Sequence, residues 1–223
     1  AGVLNITGVL NASGLVKNGA GLLTISNVGN ATTLDTSAAQ AIVINGGTVE
    51  VQGATGTAFE ALGTGPGSVV ADNIVIADGI LSLNLTQAVS TFSSNRGIVI
   101  GAATGSGTGT ISVASGKTVT YGGIIADNGT GADGFTKAGA GTLILTGQQT
   151  YTGTTTIAAG VLQLSSTSSG TAGSILAGSG SAVVLAGGTL NLFHDGDGTS
   201  GFENITYGDN VTVTANSTIA VNR

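Results

Sequence analysis

The residues best suited to chemistry lie in one short stretch near the carboxyl end of the chain. His194, the only histidine, is followed by Asp195, Asp197 and Glu203. An imidazole beside carboxylates could bind a metal ion or act in general acid–base catalysis. The same stretch contains Asp-Gly pairs, which are typical of turns. We favour the simpler interpretation, a polar loop with no catalytic role.

Calcium is the metal ion that this stretch would suit best. Asp195, Asp197 and Asp209 offer the hard carboxylate oxygens that Ca²⁺ prefers. The chain has neither the spacing of an EF-hand nor the glycine- and aspartate-rich nonapeptide of calcium-binding β-rolls. We therefore expect no cofactor, and these three aspartates are the candidate ligands if calcium binds.

Other patterns that could indicate an enzyme are incomplete. Residues 114–118, A-S-G-K-T, resemble the end of a phosphate-binding loop, but Ile111 stands where that motif needs glycine, so the pattern predicts a turn. Enzymes that cleave polysaccharides need paired carboxylates near Arg or Lys. Here the acidic residues are scattered and Arg96 is the only internal arginine. No G-x-S-x-G elbow provides a nucleophile. We therefore expect that the protein has no catalytic residues and is not an enzyme.

The composition excludes several classes of protein. The chain has 223 residues, of which 7% are charged, and its net charge is −6. Its five Lys and Arg residues are scattered, which excludes a basic surface for nucleic acid or for an acidic membrane. No apolar run reaches the roughly 20 residues of a transmembrane helix. With 40 glycines and few aromatics, the core must be thin and filled by small side chains.

The elements that would position functional residues are short strands joined by glycine-containing corners. Apolar residues recur at i and i+2, on one face of an extended strand, and a corner then leads to a second such pair. Residues 42–51, I-V-I-N-G-G-T-V-E-V, show the pattern. Its predicted core residues are Leu23, Ile25, Ile42, Ile44, Val49, Val51, Ile74, Ile76, Leu81, Leu83, Ile111, Val113, Leu143, Leu145, Ile157, Leu162, Leu164, Val183, Leu185, Leu190, Leu192, Val211 and Val213.

Repetition of this unit predicts an all-β solenoid. The corners are short and alike, and the units recur along the chain, which favours a parallel β-helix over a β-sandwich or propeller. A silk-like, low-complexity chain remains an alternative for glycine-rich stretches. Coils of roughly 20 to 25 residues would give about ten coils. Residues 52–68, 87–97, 167–180 and 194–208 interrupt the pattern, and we expect them to leave the rod as loops.

One stretch carries a resemblance to a known family. Residues 137–164 read K-A-G-A-G-T-L-I-L-T-G-Q-Q-T-Y-T-G-T-T-T-I-A-A-G-V-L-Q-L. This resembles the autotransporter-associated β-strand repeat, also called the passenger-associated transport repeat. The likeness extends over residues 95–165, and Gln149 stands where the family usually has Asn. Residues 15–27 are a partial second copy, in which Lys17 corresponds to Lys137, 120 residues later.

The resemblance implies the passenger of a secreted bacterial surface protein, folded as a right-handed β-helix with no catalytic residues of its own. We expect residues 1–223 to form a single β-helix segment of a longer passenger. The expected function is a structural or adhesive rod at the cell surface. Its partners would be other copies of itself or other cell-surface molecules, including glycans. A self-assembling fibre subunit is the first alternative, and a carbohydrate-active enzyme is the second.

Overall fold

The computed structural model describes residues 2–27, 34–52, 59–166, 182–194 and 210–222. Within them the backbone forms twenty short β-strands and a 3₁₀ helix at Glu60–Leu62. The pairings between these strands are all parallel. The prediction of an all-β parallel solenoid is thereby confirmed.

The strands form three sheets, and in each sheet neighbouring strands follow chain order. The nine-stranded sheet contains β1 (Val3–Ile6), β3 (Leu22–Ile25), β5 (Thr48–Val51), β7 (Ile80–Leu83), β10 (Thr108–Val113), β13 (Gly134–Ala138), β15 (Thr155–Ile157), β17 (Val183–Leu185) and β19 (Val211–Val213). The five-stranded sheet contains β2 (Leu15–Lys17), β4 (Ile42–Ile44), β6 (Val70–Ile76), β9 (Arg96–Ile100) and β12 (Ile125–Asp127). The six-stranded sheet contains β8 (Val89–Phe92), β11 (Thr118–Tyr121), β14 (Thr142–Leu145), β16 (Val161–Ser166), β18 (Thr189–His194) and β20 (Thr218–Asn222).

The predicted number of coils, about ten, is too high. The described residues place nine strands in the largest sheet and fewer in the other two. Successive strands of the nine-stranded sheet begin 19 to 32 residues apart, so most coils are longer than the sequence pattern indicated. At the usual spacing of roughly 4.8 Å between strands, nine rungs extend over about 38 Å.

The parallel register stacks equivalent side chains from successive coils into rows. Leu143, Leu162 and Leu190 are register partners in the six-stranded sheet, and all three are buried. The predicted core residues from Leu23 to Leu192 are buried as well. Each contributes on the order of 1.5–3 kcal/mol through removal of apolar surface from water. Because one coil supplies only a few of them, stability comes from contacts between neighbouring coils.

Two predicted core residues are exposed. Val211 and Val213 are 36% and 60% exposed, although they pair in register with the buried residues Val183 and Leu185. The prediction for these two is wrong because β19 is the edge strand of the nine-stranded sheet, and no described rung lies over it.

The coils use different pairs of sheets in different parts of the chain. In the amino-terminal coils (β1 to β7) the chain alternates between the nine-stranded and five-stranded sheets. In the middle coils (β8 to β12) it contributes strands to all three sheets. In the carboxyl-terminal coils (β13 to β20) it alternates between the nine-stranded and six-stranded sheets.

Two of the predicted loops are wholly or partly within the solenoid. Most of residues 87–97 forms β8 and the start of β9. The pattern missed β8 because the inward-facing Ser90 is buried whereas its neighbour Val89 is exposed, the reverse of the usual polarity. In residues 52–68, Phe59 and Leu62 are buried in the core. The other two predicted loops lie outside the described residues, apart from the backbone of His194.

Candidate functional site

Only one residue of the predicted histidine and carboxylate cluster, His194, belongs to the described residues. His194 ends β18, and its backbone pairs with Ser166 of β16. Asp195, Asp197, Glu203 and Asp209 lie outside the described residues, so the acid–base and calcium hypotheses stay predictions. In the part of the chain that the structure does describe, no three His, Cys, Asp or Glu side chains are grouped so that they could hold a metal ion.

The segment that resembles a phosphate-binding loop is a corner, as predicted. The N–H of Lys117 donates to the carbonyl of Ala114 at 3.1 Å, and Gly116 has a φ of 72°. Strand β11 follows directly, where a phosphate site would need a helix. The Lys117 Nζ donates to the carbonyl of Thr86 at 3.2 Å. This lysine therefore links the corner to the preceding coil.

Arg96 is buried inside the solenoid. Its Nη1 donates to Asn73 Oδ1 at 2.9 Å and to the carbonyl of Thr36 at 3.2 Å. Its Nη2 donates to the carbonyl of Gly63 at 2.8 Å. These partners are neutral, and burial lowers the pKa of Arg96 to about 10. The guanidinium is still charged at neutral pH, but it faces the interior and is not placed to contact a polysaccharide on the surface.

Lys137 is the second buried cation, and it belongs to the stretch that carries the family resemblance. It is fully buried and lies in an inward row between Ile111 and Ile157. Its Nζ donates to the carbonyls of Ala138 and Gly139 on its own coil, at 2.7 and 2.9 Å, and to a corner carbonyl of the next coil, that of Ala159, at 3.2 Å. Burial lowers its pKa to about 8. The lysine satisfies carbonyls that the corner turns inward and joins two successive coils.

Lys17 makes the same set of contacts 120 residues earlier. Its Nζ donates to the carbonyls of Asn18 and Gly19, at 2.9 and 2.6 Å, and to the carbonyl of Gly46 on the next coil, at 3.2 Å. Lys17 is half-buried because it lies on the first rung of the five-stranded sheet. The partial copy that the sequence predicted is therefore a structural copy.

The glycines of the two corners also correspond. Gly160 has a φ of 63°, and a β-carbon there would collide with the backbone carbonyls of Gly139 and Gly141 on the coil below. Gly47 has a φ of 65°, and a β-carbon there would collide with the backbone carbonyls of Gly19 and Gly21, which correspond to Gly139 and Gly141. Both positions need glycine for its backbone conformation and for the close approach of two coils.

Gln149 covers the edge of the five-stranded sheet. Its Oε1 accepts the N–H of Ile125 at 2.7 Å, and its Nε2 donates to the carbonyls of Gly123 and Gly147, at 3.2 and 2.6 Å. The N–H of Thr150 donates to the carbonyl of Ile125 at 2.9 Å. The amide thus takes the place of a further strand beside β12, the last rung of its sheet. Asp127 completes this cover by accepting the N–H and hydroxyl of Thr152.

The sequence pattern missed these polar groups because it treats polar residues as exposed. Lys137 lies two residues after the inward-facing Phe135, and Lys17 lies two residues after Leu15. A period of two therefore placed both lysines on inward rows. That alternation is the signal that could have identified them. The same alternation marks Arg96, which lies two residues before the inward-facing Ile98 of β9. Nothing local in the sequence marks Gln149, whose contacts at the sheet edge are made with another coil.

Aromatic side chains contribute to the interior. Phe92 lies between Phe59 and Tyr121, with ring centroids 4.5 and 5.5 Å apart, and Phe135 lies 5.7 Å from Tyr151. All five rings are buried. Burial also raises the pKa of the Tyr121 hydroxyl, which lies 2.8 Å from the carbonyl of Arg96. These rings are not placed to stack on a sugar at the surface.

Comparison with known families identifies one repeat. Residues 135–164 match the model of the family described as the passenger-associated-transport-repeat. The chain contains a passenger-associated-transport repeat. This repeat comprises β13 to β15 and most of β16, so it includes the Lys137 corner, the Gln149 cover and Gly160. The family resemblance inferred from the sequence is confirmed.

The other comparisons add no relative. A search of curated proteins found no significant match, and neither did a search of solved structures. None of the described residues belongs to a helix with the length and hydropathy that crossing a membrane would require. The passenger-associated-transport repeat and the solenoid fold are therefore the two findings that bear on function.

Proposed function

We propose that this chain is a stretch of non-catalytic rod in the passenger of a secreted bacterial surface protein. The observation that carries this proposal is the passenger-associated-transport repeat embedded in a continuous parallel solenoid. Its rung above (β17) and rung below (β10) in the nine-stranded sheet continue the same register, so the repeat is one unit of a longer stack.

The buried polar residues support a structural role. Arg96, Lys137 and Gln149 donate to backbone carbonyls of other coils, so each holds neighbouring coils together. A catalytic group must instead reach a substrate. The function of these residues is therefore to join the coils of a rod.

Location is tested with antibodies raised against the purified chain. Intact cells of the source organism should be labelled as strongly as permeabilised cells if the rod is at the surface. An antibody against a cytoplasmic protein is the control and should label permeabilised cells alone. Labelling by the rod antibody that appears only after permeabilisation would contradict the proposal.

The adhesive part of the proposal concerns residues 167–181 and 195–209, which connect strands of the carboxyl-terminal coils. Replacing each segment with a short Gly-Ser linker should reduce attachment of chain-coated beads to cells or glycan surfaces. The control is replacement of residues 53–58, which lie outside the carboxyl-terminal coils, with a Gly-Ser linker. If no replacement changes attachment, the chain is a spacer and not an adhesin.

Catalysis is tested by incubating the purified chain with acidic and neutral polysaccharides, with and without calcium. We expect no new reducing ends and no new unsaturated products. Cleavage that disappears after His194→Ala would overturn the non-catalytic assignment and support the histidine cluster.

A further inference from the structure

Strand β18 carries an aromatic side chain on the outer surface of the solenoid. Leu190 and Leu192 are buried, so the alternation of the strand turns Phe193 outward, where its side chain is partly exposed. The other aromatic residues that the structure describes are buried in the interior. Exposure leaves apolar surface of the ring in water, which folding alone does not favour. Phe193 is therefore the described aromatic residue that a ligand at the surface can reach.

Side-chain amides on successive rungs lie beside this residue. In the sheet register Gln163 is the partner of Asn191, and Ser165 is the partner of Phe193. Asn191 Nδ2 donates to Gln163 Oε1 at 2.9 Å, and Gln163 Nε2 donates to Ser165 Oγ at 2.8 Å. Asn222 Nδ2, on the next rung, donates to Asn191 Oδ1 at 2.6 Å. Such ladders stabilise stacked parallel strands, so these amides are oriented before any ligand binds.

The amide ladder leaves hydrogen-bonding capacity for a ligand. A primary amide has two N–H groups and an oxygen with two lone pairs. Within the described residues, Gln163 and Asn191 each use one N–H and one lone pair in the ladder. Each can therefore donate one more hydrogen bond and accept one more. We call Gln163, Asn191, Phe193 and Asn222 the Phe193 strip.

The surface around the Phe193 strip is uncharged in the part of the chain that the structure describes. The outward positions of β14, β16, β18 and β20 hold Thr142, Ile144, Val161, Gln163, Ser165, Thr189, Asn191, Phe193, Thr218, Ala220 and Asn222. A charged ligand would find no ion-pair partner among these side chains. The surface favours a neutral ligand that offers hydroxyl groups to the amides and C–H groups to the ring.

A neutral sugar offers both kinds of group. One face of a pyranose presents C–H groups, which stack on the negative face of an aromatic ring, and its edge presents hydroxyls that pair with amides. A protein partner fits less well. Four rungs and three outward positions cover roughly 14 by 13 Å, or about 200 Å². A stable protein interface buries about 800 Å² on each partner. The strip thus suits a short oligosaccharide better than a second copy of the chain.

We propose that the Phe193 strip binds a neutral oligosaccharide, with one sugar ring stacked on Phe193 and hydroxyls hydrogen-bonded to Gln163 and Asn191. The strip lies on the side of the solenoid, so another coil stacked beyond β20 would lengthen it and would not cover it. The segments 167–181 and 195–209 begin at the ends of β16 and β18, beside the strip. The inference deepens the adhesive part of the proposed function and rests on it for the place of the sugar at a cell surface.

The test measures binding of the purified chain to immobilised neutral oligosaccharides of glucose, galactose, mannose and N-acetylglucosamine by surface plasmon resonance. Oligomers of galacturonic acid are compared on the same surface. We expect at least one neutral sugar to bind more tightly than the acidic one. Phe193→Ala should weaken this binding about tenfold, and Asn191→Ala about fivefold. The control is Val184→Ala, at a partly exposed outward position of β17 in the nine-stranded sheet, and it should change binding less than about twofold.

Two further substitutions separate stacking on the ring from general apolar contact. Phe193→Tyr keeps the ring and should bind within about twofold of the wild type. Phe193→Leu keeps apolar bulk without the ring and should bind as weakly as Phe193→Ala. Circular dichroism checks that each variant is folded, which the outward position of Phe193 predicts. In the wild type, sugar should shift the side-chain amide resonances of Gln163 and Asn191, which locates the binding without any substitution.

Several results would overturn the inference. One is failure of every neutral sugar to bind, and another is binding that Phe193→Ala leaves unchanged. Tighter binding of the galacturonic acid oligomers would contradict the neutral class of ligand. Self-association in sedimentation velocity that Phe193→Ala abolishes would show that the ring packs against a second copy instead. None of these results changes the surface location of the rod, which antibody labelling tests separately.

Discussion

The amino-terminal and carboxyl-terminal coils contain the same corner at different places in the cross-section. The Lys17 corner joins β2 of the five-stranded sheet to β3 of the nine-stranded sheet. The Lys137 corner joins β13 of the nine-stranded sheet to β14 of the six-stranded sheet. The lysine contacts and the glycine conformations nevertheless agree. The repeat therefore encodes a local bend and its contact with the next coil, and it does not encode which sheets the bend connects.

The difference between the two regions lies in the chain that completes each coil. Between β3 and β4 the amino-terminal coils use residues 26–41, whereas between β14 and β15 the carboxyl-terminal coils use residues 146–154. In the carboxyl-terminal part, Gln149 covers the end of the five-stranded sheet, so the chain returns to the nine-stranded sheet without forming another strand there. The variable connections, and not the repeated corner, determine the cross-section.

The largest expected effect comes from the stacked corner glycines. Gly160→Ala and Gly47→Ala each combine a left-handed backbone conformation with a collision against the carbonyls of the coil below. We expect both to lower the free energy of unfolding by about 4 kcal/mol or more, measured by urea denaturation. Gly116→Ala is the control, because its φ is 72° but nothing lies within 4 Å of the added carbon. It should cost about 1–2 kcal/mol.

A clear difference between Gly47→Ala and Gly160→Ala would show that the two corners are not energetically equivalent. A loss for Gly116→Ala as large as theirs would mean that backbone conformation alone accounts for the effect. The first result would limit the likeness of the two corners to geometry, and the second would exclude the contact between coils as the reason for glycine.

The corner lysines should differ, because one is enclosed and the other lies at an end. Lys137→Ala leaves the carbonyls of Ala138, Gly139 and Ala159 without their donor inside the stack. We expect a loss of about 3 kcal/mol in the free energy of unfolding. Lys17→Ala leaves the carbonyls of Asn18, Gly19 and Gly46 where water can bind them. It should therefore cost about 1 kcal/mol. Equal losses for the two lysines would contradict a role for enclosure.

The strands were predictable where apolar residues alternate, as in residues 42–51, because inward rows must be apolar and corners need glycine. The copied corner was predictable because K-x-G-A-G recurs. Strand β8 was not, because its inward position holds Ser90, whose Oγ has no hydrogen-bond partner among the described residues. The roles of Arg96 and Gln149 were hidden for a different reason. Apart from Gly147, which lies two residues before Gln149, their partners lie 23 to 60 residues away, so no local pattern reports these contacts.

Gln149 lies where the five-stranded sheet ends and the carboxyl-terminal coils begin. A substitution there tests whether its side chain covers the edge of that sheet. Gln149→Ala removes the acceptor of the Ile125 N–H and the donor to the carbonyl of Gly123. We expect a loss of about 2 kcal/mol in the free energy of unfolding, measured by urea denaturation. Gln148→Ala, at an exposed neighbouring position, is the control and should cost less than about 0.5 kcal/mol.

Gln149→Asn sharpens the same test, because it keeps the amide group but moves it closer to the backbone. Its side chain is one methylene shorter, so it should keep one of the two contacts with the β12 segment and cost about 1 kcal/mol. Amide hydrogen exchange at Ile125 gives an independent measurement and should be faster in both Gln149 variants. An unchanged exchange rate at Ile125 would contradict the role of Gln149 in covering this sheet edge.

The smallest expected effect is a dependence of stability on pH that the enclosed lysine produces. Burial lowers the pKa of Lys137 to about 8 from an ordinary value of 10.5. Below pH 8 both the folded and unfolded states hold the proton, so this lysine adds no pH dependence. Between about pH 8 and 10.5 the unfolded state binds more protons, and stability must rise with pH. The rise should be about 1 kcal/mol by about pH 9.5, roughly half the unscreened value, because of residual solvent screening.

The measurement is the difference in unfolding free energy between the wild type and Lys137→Met, taken at several pH values. Titration of every other group then cancels, and only the contribution of Lys137 remains. The series should stop near pH 9.5, because burial raises the pKa of Tyr121, and ionisation of tyrosine in the unfolded state then lowers the stability of both proteins. A difference that falls with pH would mean that the three carbonyls stabilise the ammonium by more than its burial costs. The Lys137 corner would then be held mainly by electrostatic attraction between the ammonium group and these carbonyls.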